Sequence, residues 1–554
     1  MNLARNSTSF FFSFVLTFLP LALSNDSSSS LLQIWPEPTG LVTTGILSIN
    51  VSPLLTITGA DTPDVVDGVT RFLSRAFLHP ISSSTSLNKL MTKLMNKNVN
   101  TSILSRLVLN VTNGNTELGL GVDESYSLFI PSDSSSSISL TSETQFGVYA
   151  GLETLSQLFE WDAETRSYSI SSVPILINDS PKFSWRGLLI DTARHFQSLS
   201  SLYAILDSMT MVKLNILHWH IVDAQSWPLE SILWPNLWLG AFSKSERYTT
   251  DDVLAIVEYA RKRGIRIVFE VDHPGHLSSS CKGYPNLCPS DCVWDAGDNS
   301  VPLAPANNST WMFLNDTVSE LAILSSDLYL HLGGDEVDTT CWSLDTATMN
   351  WVKERNITVN DIYSIFVQRM NKAAIALGKI PIRWEDAWIA LGTSLDLSTI
   401  IHVWLSQETL GNVTSHGYKA IYSYQGVYND IFDYQNGWYL NGLWQNWKQM
   451  YDVDILGGIK DGFGNKSLVL GGEGAQWGEE ADGSDILQTI WPRLAAIAER
   501  LWSYNMEKNS SDINVGNRLS RFRCLLLERG IPATPLNSLI ARSPPSGPGS
   551  CYIQ

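Results

Sequence analysis

Eight short apolar segments, separated by longer helical patterns, constrain the fold of this 554-residue chain most strongly. They follow Ser180-Pro181 and lie at 186–193, 213–221, 266–272, 328–334, 381–386, 399–405, 419–424 and 468–474. Helical patterns over 199–211, 250–262, 311–326, 361–377 and 486–502 lie between or after them. Continuous apolar strands that alternate with helices are typical of a parallel sheet. Eight such units predict an α/β fold in which residues 181–554 form a (β/α)8 barrel.

The segment before the barrel has a different pattern. Residues 65–77 and 145–160 carry apolar side chains at helical spacing, whereas 126–130 and 137–140 have the character of short strands. Polar stretches separate these elements. The sequence therefore predicts a small α+β domain over residues 25–180, and its motifs indicate no chemistry of their own.

The first residues are typical of a targeting signal. Arg5 precedes an apolar run at 10–23 that Pro20 interrupts, and the small residues Ala22 and Ser24 flank a cleavage position. This pattern predicts a secretory signal peptide over residues 1–24, with an uncleaved membrane anchor as the alternative. No later apolar run is long enough to span a bilayer.

Glycosylation sequons and cysteines agree with secretion. Sequons occur at Asn25, Asn50, Asn100, Asn110, Asn178, Asn307, Asn308, Asn315, Asn356, Asn412, Asn465 and Asn509. The six cysteines are Cys281, Cys288, Cys292, Cys341, Cys524 and Cys551. An even count in an oxidising compartment predicts three disulfides, with zinc at Cys288 and Cys292 as the alternative. We expect passage through a eukaryotic secretory pathway to the cell surface, extracellular space, vacuole or lysosome.

Charge and aromatic content narrow the class of ligand. The net charge of −18 argues against nucleic acid as a partner, because phosphate backbones are bound by basic surfaces. The chain also lacks the basic amphipathic stretch typical of a membrane-surface binder. Its 20 tryptophans instead favour surfaces that stack on rings or on the faces of sugars.

Charged and indole side chains follow seven of the eight predicted strands, and strand ends of this kind meet at one rim of a barrel. In chain order these residues include Asp191, Arg194, His195, His218, Trp219, His220, Asp223, Glu270, Asp272, His273, His276, His331, Asp335, Glu336, Trp384, Glu385, Asp386, Trp404, Trp477 and Glu479. Helix caps and salt bridges explain one such strand end, but not seven. Carboxylates beside tryptophans favour glycoside chemistry, because an indole stacks on a pyranose and a carboxyl group can protonate a glycosidic oxygen.

Five motifs at these strand ends carry a family resemblance. They are DTARHF (191–196), HWHIVD (218–223), DHPGH (272–276), HLGGDEVD (331–338) and QWGE (476–479). In this order they resemble the family 20 β-N-acetylhexosaminidases, above all the eukaryotic secretory and plant members. The resemblance covers the barrel from about residue 180 and, more weakly, the domain before it. It implies an exo-acting hydrolase that releases terminal β-linked GlcNAc or GalNAc from N-glycans or chito-oligosaccharides.

The two acids of HLGGDEVD bear on the mechanism. Asp335 and Glu336 are adjacent, so their side chains leave the strand in different directions. A conventional retaining pair instead needs carboxyl groups about 5–5.5 Å apart across the scissile bond. The resemblance implies a substrate-assisted route, in which the 2-acetamido oxygen of the substrate attacks the anomeric carbon.

The resemblance also implies catalytic roles. Glu336 acts as general acid and then as general base. Asp335 accepts the acetamido N–H and offsets the developing positive charge, while Tyr439 in WYLN donates its hydroxyl to the acetamido oxygen. Asp223 and His276 form a buried pair that tunes the acidity of Glu336.

Substrate-binding roles follow from the same motifs. The residues concerned are Arg194, Glu479, Asn441, Trp384, Trp404 and Trp477. Arg194 and Glu479 contact ring hydroxyls, Asn441 assists near Tyr439, and the three tryptophans surround the sugar and its acetamido methyl. The alternative for Trp384 and Trp404 is filling of the barrel interior.

Two departures from the family pattern affect these assignments. Ala224 follows Asp223 where many relatives have a second polar residue, which leaves the loop geometry open. An insertion over 424–437 precedes WYLN, so Tyr428 and Tyr434 compete with Tyr439 for the acetamido role. The downstream spacing to Trp447 and Tyr451 favours Tyr439.

The resemblance further bears on bridges, metals and partners. The pairs Cys292–Cys341 and Cys524–Cys551 resemble family disulfides, which leaves Cys281 to pair with Cys288. No metal or cofactor is implied, so His218, His220 and His331 are expected to pack or bond inside the barrel. The expected partner is carbohydrate, and a homodimer is expected only because dimers are common in the family.

Two other functions compete with this interpretation. A chitinase-like glycosidase of another barrel family would show a DxxDxDxE strand end, which the sequence lacks. A catalytically inactive sugar-binding protein could use the same barrel. The joint presence of Asp335, Glu336 and Arg194 argues against that second alternative.

Overall fold

The structure of the chain, a computed structural model, describes residues 32–79, 103–292, 301–423 and 446–536. Within these ranges six strands form a mixed sheet and eight form a closed barrel. The predicted fold class, a (β/α)8 barrel preceded by a small α+β domain, is confirmed. In the described ranges no helix has both the length and the apolar character needed to cross a membrane.

The N-terminal sheet is largely antiparallel at one side and parallel at the other. Its strands are β1 (Val42–Thr58), β2 (Ile103–Asn113), β3 (Tyr126–Ile130), β4 (Ile138–Thr144), β5 (Glu160–Asp162) and β6 (Ser167–Asp179). Their order is β1-β2-β4-β3-β6-β5, and β1 also pairs with β6. Helices α1 (Pro63–Ala76) and α2 (Gln145–Gln157) share an apolar core with the sheet. The sequence patterns indicated both helices, β3 and part of β4, but not β1, β2, β5 or β6.

The barrel strands all run parallel. They are β7 (Trp185–Asp191), β8 (Ile216–His220), β9 (Arg266–Glu270), β10 (Tyr329–His331), β11 (Ile380–Trp384), β12 (Ile400–Val403), β13 (Ala420–Tyr422) and β14 (Val469–Gln476). Pairing of β14 with β7 closes the ring. Each strand overlaps one of the eight predicted segments. Nearly all of their residues are buried, since helices cover the outside, and this explains the continuous apolar runs.

The helices after the N-terminal domain mostly surround the barrel. They are α3 (Leu199–Thr210), α4 (Thr250–Arg261), α5 (Asn308–Leu324), α6 (Thr340–Leu344), α7 (Thr346–Arg355), α8 (Val359–Ala376), α9 (Glu385–Leu391), α10 (Gln407–Ser415), α11 (Trp447–Tyr451), α12 (Ile486–Ile490), α13 (Arg493–Trp502) and α14 (Ile513–Glu528). The prediction of one helix over 486–502 is wrong. Two helices meet at Pro492, which has no N–H to donate and disfavours helical geometry in the residue before it.

Two disulfides tie the loops after β9 and β10. Cys281 is bonded to Cys288 within the first loop. Cys292 is bonded to Cys341 in α6, which crosslinks the first loop to the segment that follows β10. Cys524 lies in α14, and Cys551 falls outside the described residues.

A buried ion pair joins the N-terminal sheet to the barrel. Asp179, the last residue of β6, accepts hydrogen bonds from Lys213 Nζ at 2.9 Å and from Tyr126 Oη at 2.8 Å. Trp502 Nε1 donates to the same carboxylate at 3.0 Å. We call this set, with the Thr39 N–H that donates at 2.8 Å, the junction cluster.

Candidate active site

The carboxyl ends of the barrel strands bring most of the predicted site residues to one rim. Those that the structure describes there are Arg194, Asp223, His276, Asp335, Glu336, Trp384, Trp404, Trp477 and Glu479. Tyr439 and Asn441 lie outside the described residues, as do the competing Tyr428 and Tyr434. The convergence follows from the barrel geometry, because each of these residues ends a strand or begins the loop after it.

The two glycines before the acid pair are required by a close approach. A Cβ on Gly333 would lie 0.7 Å from Asp272 Oδ1, and the Gly333 φ of +53° is a left-handed value. The Gly334 N–H donates to the same Asp272 oxygen at 2.9 Å. Only glycine lets the backbone close over the buried Asp272 carboxylate and turn sharply into Asp335 and Glu336.

Asp335 is a buried acid with an incomplete set of partners. Its Oδ2 lies 3.7 Å from His276 Nε2, and its Oδ1 has no hydrogen-bond partner among the described residues. Burial raises the pKa of Asp335 well above its ordinary value, and the nearby Asp272 carboxylate adds to the increase. The protonated form of Asp335 is therefore favoured.

Glu336 differs from its neighbour in exposure and in the direction of its pKa shift. Its side chain is 51% exposed, and its Oε2 lies 3.6 Å from His276 Nε2. The nearby His276 ring lowers the pKa of Glu336, although partial burial acts in the opposite direction. Its backbone has a φ of +51°, which costs energy for a residue with a side chain.

His276 and Asp223 form the buried pair that the sequence predicted. His276 Nδ1 lies 3.0 Å from Asp223 Oδ2, and Arg194 contacts that same carboxylate oxygen at 2.9 Å. Burial by itself would raise the pKa of Asp223, but Arg194 and His276 hold it far below the ordinary value. Burial would lower the pKa of His276, but Asp223 and Asp335 raise it well above the ordinary value. The geometry favours a charged imidazolium facing both rim acids.

Arg194 is held at the rim by several carboxylates. Its guanidinium contacts Asp191 at 3.0 Å, and the charge of Glu479 acts on it as well. Asp191 also accepts the Gly478 N–H at 3.0 Å, which links the loops after β7 and β14. These contacts fix the direction of the guanidinium, whose centre lies 5.3 Å from the middle of the Trp477 ring.

Three indole rings lie next to these charged groups. Trp384 lies at the end of β11. The centroid of its ring is 6.5 Å from that of Trp404 and 6.0 Å from that of Trp477. Its Nε1 donates to Glu270 Oε1 at 2.7 Å, so the ring is fixed from below. Apolar ring faces of this kind can stack on the face of a sugar.

Histidines and glutamates fill the barrel interior beneath the rim. His218 lies 2.5 Å from Glu473 and 3.0 Å from Glu270, and these carboxylates raise its pKa to about 9 although burial opposes them. Burial lowers the pKa of His331 to about 4 and that of His402 to about 3. The ring nitrogens of the three histidines come within 4.8 Å of one another, a spacing that could hold an ion. His218 Nδ1 is hydrogen-bonded to Glu473, whereas His218 Nε2 and His402 Nε2 have no hydrogen-bond partner among the described residues. The absence of a resident metal stays a prediction.

Asp272, Glu385 and Asp386 also lie at the rim, although their motifs predicted no role for them. Asp272 holds the Gly334 N–H, and Glu385 and Asp386 both contact the segment after β12. The only feature of the sequence that points to these acids is their position, because each lies at the end of a predicted strand. Position alone does not separate a residue that faces substrate from one that supports the site.

Comparison with known proteins assigns the barrel. Residues 183–505 match the model of the glycosyl hydrolase family 20 catalytic domain. The chain belongs to glycosyl hydrolase family 20. Residues 34–158 of this family 20 chain match a second model, described as β-acetyl hexosaminidase-like. Both matches agree with the family that the rim motifs resemble.

Full-length relatives of this family 20 enzyme carry one activity in their names. The chain is 38% identical to β-hexosaminidase 1 of Arabidopsis thaliana, with 98% of both proteins covered. It is 41% identical to β-hexosaminidase 3 of the same plant, with 82% of this chain and 81% of that protein covered. The crystal structure of the Flavobacterium johnsoniae chitobiase has a TM-score of 0.74 and 29% identity, covering 90% of this chain and 73% of that one. The chain is thus a glycoside hydrolase with hexosaminidase activity, and the predicted enzyme class is confirmed.

Proposed function

We propose that this family 20 enzyme removes single terminal β-linked GlcNAc or GalNAc residues from N-glycans or chito-oligosaccharides, with retention of configuration. One observation supports this most directly. Asp335 and Glu336 lie side by side at the end of β10, at the rim that also carries the packed indole rings of Trp384, Trp404 and Trp477. A conventional retaining pair would need a second carboxylate about 5–5.5 Å away across the scissile bond, whereas in the substrate-assisted route the attacking atom comes from the substrate.

The first chemical step uses the two acids differently. The acetamido oxygen attacks the anomeric carbon while the bond to the leaving oxygen breaks, and Glu336 gives its proton to that oxygen. Asp335 accepts the acetamido N–H and faces the positive charge that develops on the oxazolinium ring. That positive charge and the N–H bond both favour ionised Asp335, and thus offset the effect of burial on its pKa.

The second step reverses the proton transfer. Water attacks the anomeric carbon, Glu336 takes its proton, and the bond between that carbon and the acetamido oxygen breaks. Glu336 must therefore be protonated before the first step. A sugar seated beside Glu336 removes water from its exposed half, and this desolvation raises its pKa toward the value that a general acid needs.

Supporting roles are assigned on the same basis. Arg194 and Glu479 hold ring hydroxyls, Tyr439 donates to the acetamido oxygen, and Asn441 assists beside it. The Asp223–His276 pair, with its 3.0 Å contact, tunes the acidity of Glu336. The rings of Trp384, Trp404 and Trp477 enclose the sugar.

The proposal includes the compartment and the processing of the chain. A signal peptide over 1–24 directs the chain into the secretory pathway, and the mature enzyme has domains at 25–180 and 181–554. Both disulfides and the exposed sequon asparagines support this proposal; the latter include Asn110, Asn178, Asn356, Asn412, Asn465 and Asn509. Analytical ultracentrifugation of the secreted protein tests the proposed homodimer.

The experiment compares purified wild type with Glu336→Gln on p-nitrophenyl β-glycosides of GlcNAc, GalNAc and glucose. Wild type is expected to hydrolyse the two N-acetyl substrates and not the glucoside, which lacks the nucleophile. Glu336→Gln should lower kcat by about 10²–10⁴ on a GlcNAc disaccharide, whose leaving group needs the acid. A thiazoline analogue of the intermediate should inhibit wild type tightly.

Two outcomes would contradict the proposal. Comparable rates on glucoside and N-acetyl substrates would rule out assistance by the acetamide. Folded wild type that binds GlcNAc without turnover would indicate the inactive sugar-binding protein instead.

A further inference from the structure

The two acids that follow Trp384 hold the next strand end in place. Glu385 Oε2 accepts the backbone N–H groups of Trp404, Leu405 and Ser406 at 2.9, 2.6 and 3.2 Å. The loop after β12 is therefore fixed to the start of α9 through one carboxylate. Glu385 therefore holds the backbone of the loop after β12, whereas Asp386 makes different contacts.

Asp386 contacts both sides of the catalytic pocket. Its Oδ2 accepts the Trp404 Nε1–H at 3.0 Å, and its Oδ1 accepts the Glu336 backbone N–H at 3.4 Å. Glu336 lies in the left-handed region, with a φ of +51°, so its position depends on contacts that hold it there. One carboxylate thus bridges an indole ring of the pocket and the backbone of the proposed general acid.

We propose that Asp386 is a positioning residue for hydrolysis, which sets the orientation of Trp404 and keeps a negative charge beside the two acids of the pocket. The inference rests on the proposed function, because it assigns a further carboxylate to the site in which Glu336 donates its proton. Asp386 itself does not contact the reacting atoms in this proposal.

The charges around Asp386 determine the sign of its effect. Asp335 and Glu336 face it from the loop after β10, Tyr363 faces it from α8, and Glu385 is its neighbour in α9. No ion pair to Asp386 occurs within the part of the chain that the structure describes. Its carboxylate thus faces N–H donors but no cation there, and its charge raises the pKa of Asp335. The same repulsion acts between Asp386 and Glu336. Burial raises the pKa of Asp386 as well.

Loss of the charge should therefore make Glu336 more acidic. An acid that ionises at lower pH stops donating its proton at lower pH, so the basic limb of the kcat/KM profile moves down. Loss of the hydrogen bond has a separate consequence, since a free Trp404 ring no longer fits the sugar. The pH profile of kcat/KM therefore reports the effect of the Asp386 charge, and KM reports the effect of its hydrogen bond to Trp404.

The test compares Asp386→Asn, Asp386→Ala and the control Asp396→Asn on p-nitrophenyl β-GlcNAc across pH 4–9. Asp396 is an exposed acid after α9 that bonds Ser398, away from the pocket. Asp386→Asn keeps an acceptor for Trp404 and should shift the basic limb down by about 0.5–1 pH unit. Asp386→Ala should show the same shift and, in addition, a KM raised roughly 3- to 10-fold. The control should match wild type in both.

Superimposed pH profiles and equal KM values for wild type and both Asp386 variants would overturn the inference while leaving the proposed function intact. An inactive wild type would instead contradict the proposed function. Thermal denaturation checks folding of each variant. The variant Asp386→Glu gives a second measurement, because it keeps the negative charge but displaces the hydrogen bonds to Trp404 and Glu336. Its basic limb should stay with wild type while KM rises, and a shifted limb would overturn the inference.

Discussion

Two buried aspartates, one in the junction cluster and one at the barrel rim, have opposite environments. Asp179 accepts hydrogen bonds from Lys213 at 2.9 Å, Tyr126 at 2.8 Å and Trp502 at 3.0 Å. Burial by itself would raise its pKa, but Lys213 and these donors lower it below the ordinary value. Asp179 is thus a satisfied carboxylate whose charge stabilises the fold.

Asp335 is also buried but lacks such partners. Its Oδ1 has no hydrogen-bond partner among the described residues, and the same is true of His276 Nε2, which faces it. Burial and Asp272 raise its pKa, so its charge is disfavoured in the protein by itself. Buried polar groups that are left without partners are uncommon in folded proteins and concentrate where a ligand supplies the missing contact. Asp179 is therefore a structural acid whose oxygens are satisfied within the protein, whereas Asp335, proposed as a functional acid, keeps an oxygen without a partner among the described residues.

The largest expected effect concerns stability at the junction. Asp179→Ala leaves the buried Lys213 ammonium without its carboxylate, which should cost about 3–5 kcal/mol in the free energy of unfolding. Urea denaturation followed by fluorescence measures the loss. The KM of the folded fraction should not change, because the junction cluster lies away from the rim. A stability equal to wild type would contradict a stabilising role for the Asp179 charge.

The next largest expected effect concerns catalysis, which should depend on the rim acid Asp335. Asp335→Asn removes the carboxylate that faces the oxazolinium charge, so kcat on N-acetyl substrates should fall by about 10²–10³. Steady-state kinetics on p-nitrophenyl β-GlcNAc measure the effect. Asp179→Asn is the matched control, since it makes the same chemical change at a buried site and should retain wild-type kcat while folded.

The stability of Asp335→Asn should change with pH in a defined direction. The folded pKa of Asp335 exceeds the unfolded value of about 3.9, so the stability gained from its bound proton is complete below that pH and is lost as pH rises. The variant should therefore match wild type near pH 4 and exceed it at pH 7–8 by on the order of 1–2 kcal/mol. Thermal melts across this range test the sign. A variant less stable than wild type at pH 8 would contradict it.

The smallest expected effect concerns Trp384, one of the three indoles proposed to enclose the sugar. Trp384→Phe keeps an aromatic face but removes the Nε1–H that Glu270 accepts at 2.7 Å. The loss of ring area and of this anchor should weaken substrate binding by about 0.5–1.5 kcal/mol, seen as a higher KM. Trp388→Phe, in α9 and outside the pocket, serves as the control. Equal KM values for both variants would argue against Trp384 as part of the sugar site.

Much of the barrel was predictable because its signal is local. The eight strands are short, apolar and bounded by polar residues, and burial on both sides leaves that pattern in each segment separately. The N-terminal sheet was less predictable for the same reason. In β1, residues such as Ile46 and Leu54 are 96% and 73% exposed, so its pattern does not alternate as a half-buried strand should. β1 forms as a strand because it pairs with β6, which lies more than a hundred residues later in the chain.

The sequence by itself determined which residues end the barrel strands, and through them the family, the acid pair and the tryptophans. The tertiary structure decided which neighbours each residue has. It separates a half-exposed Glu336 from a buried Asp335, and it places Asp386 between Glu336 and Trp404. The reason is physical: residue type and strand position are properties of a segment. Burial, charge environment and pKa arise only when distant segments meet.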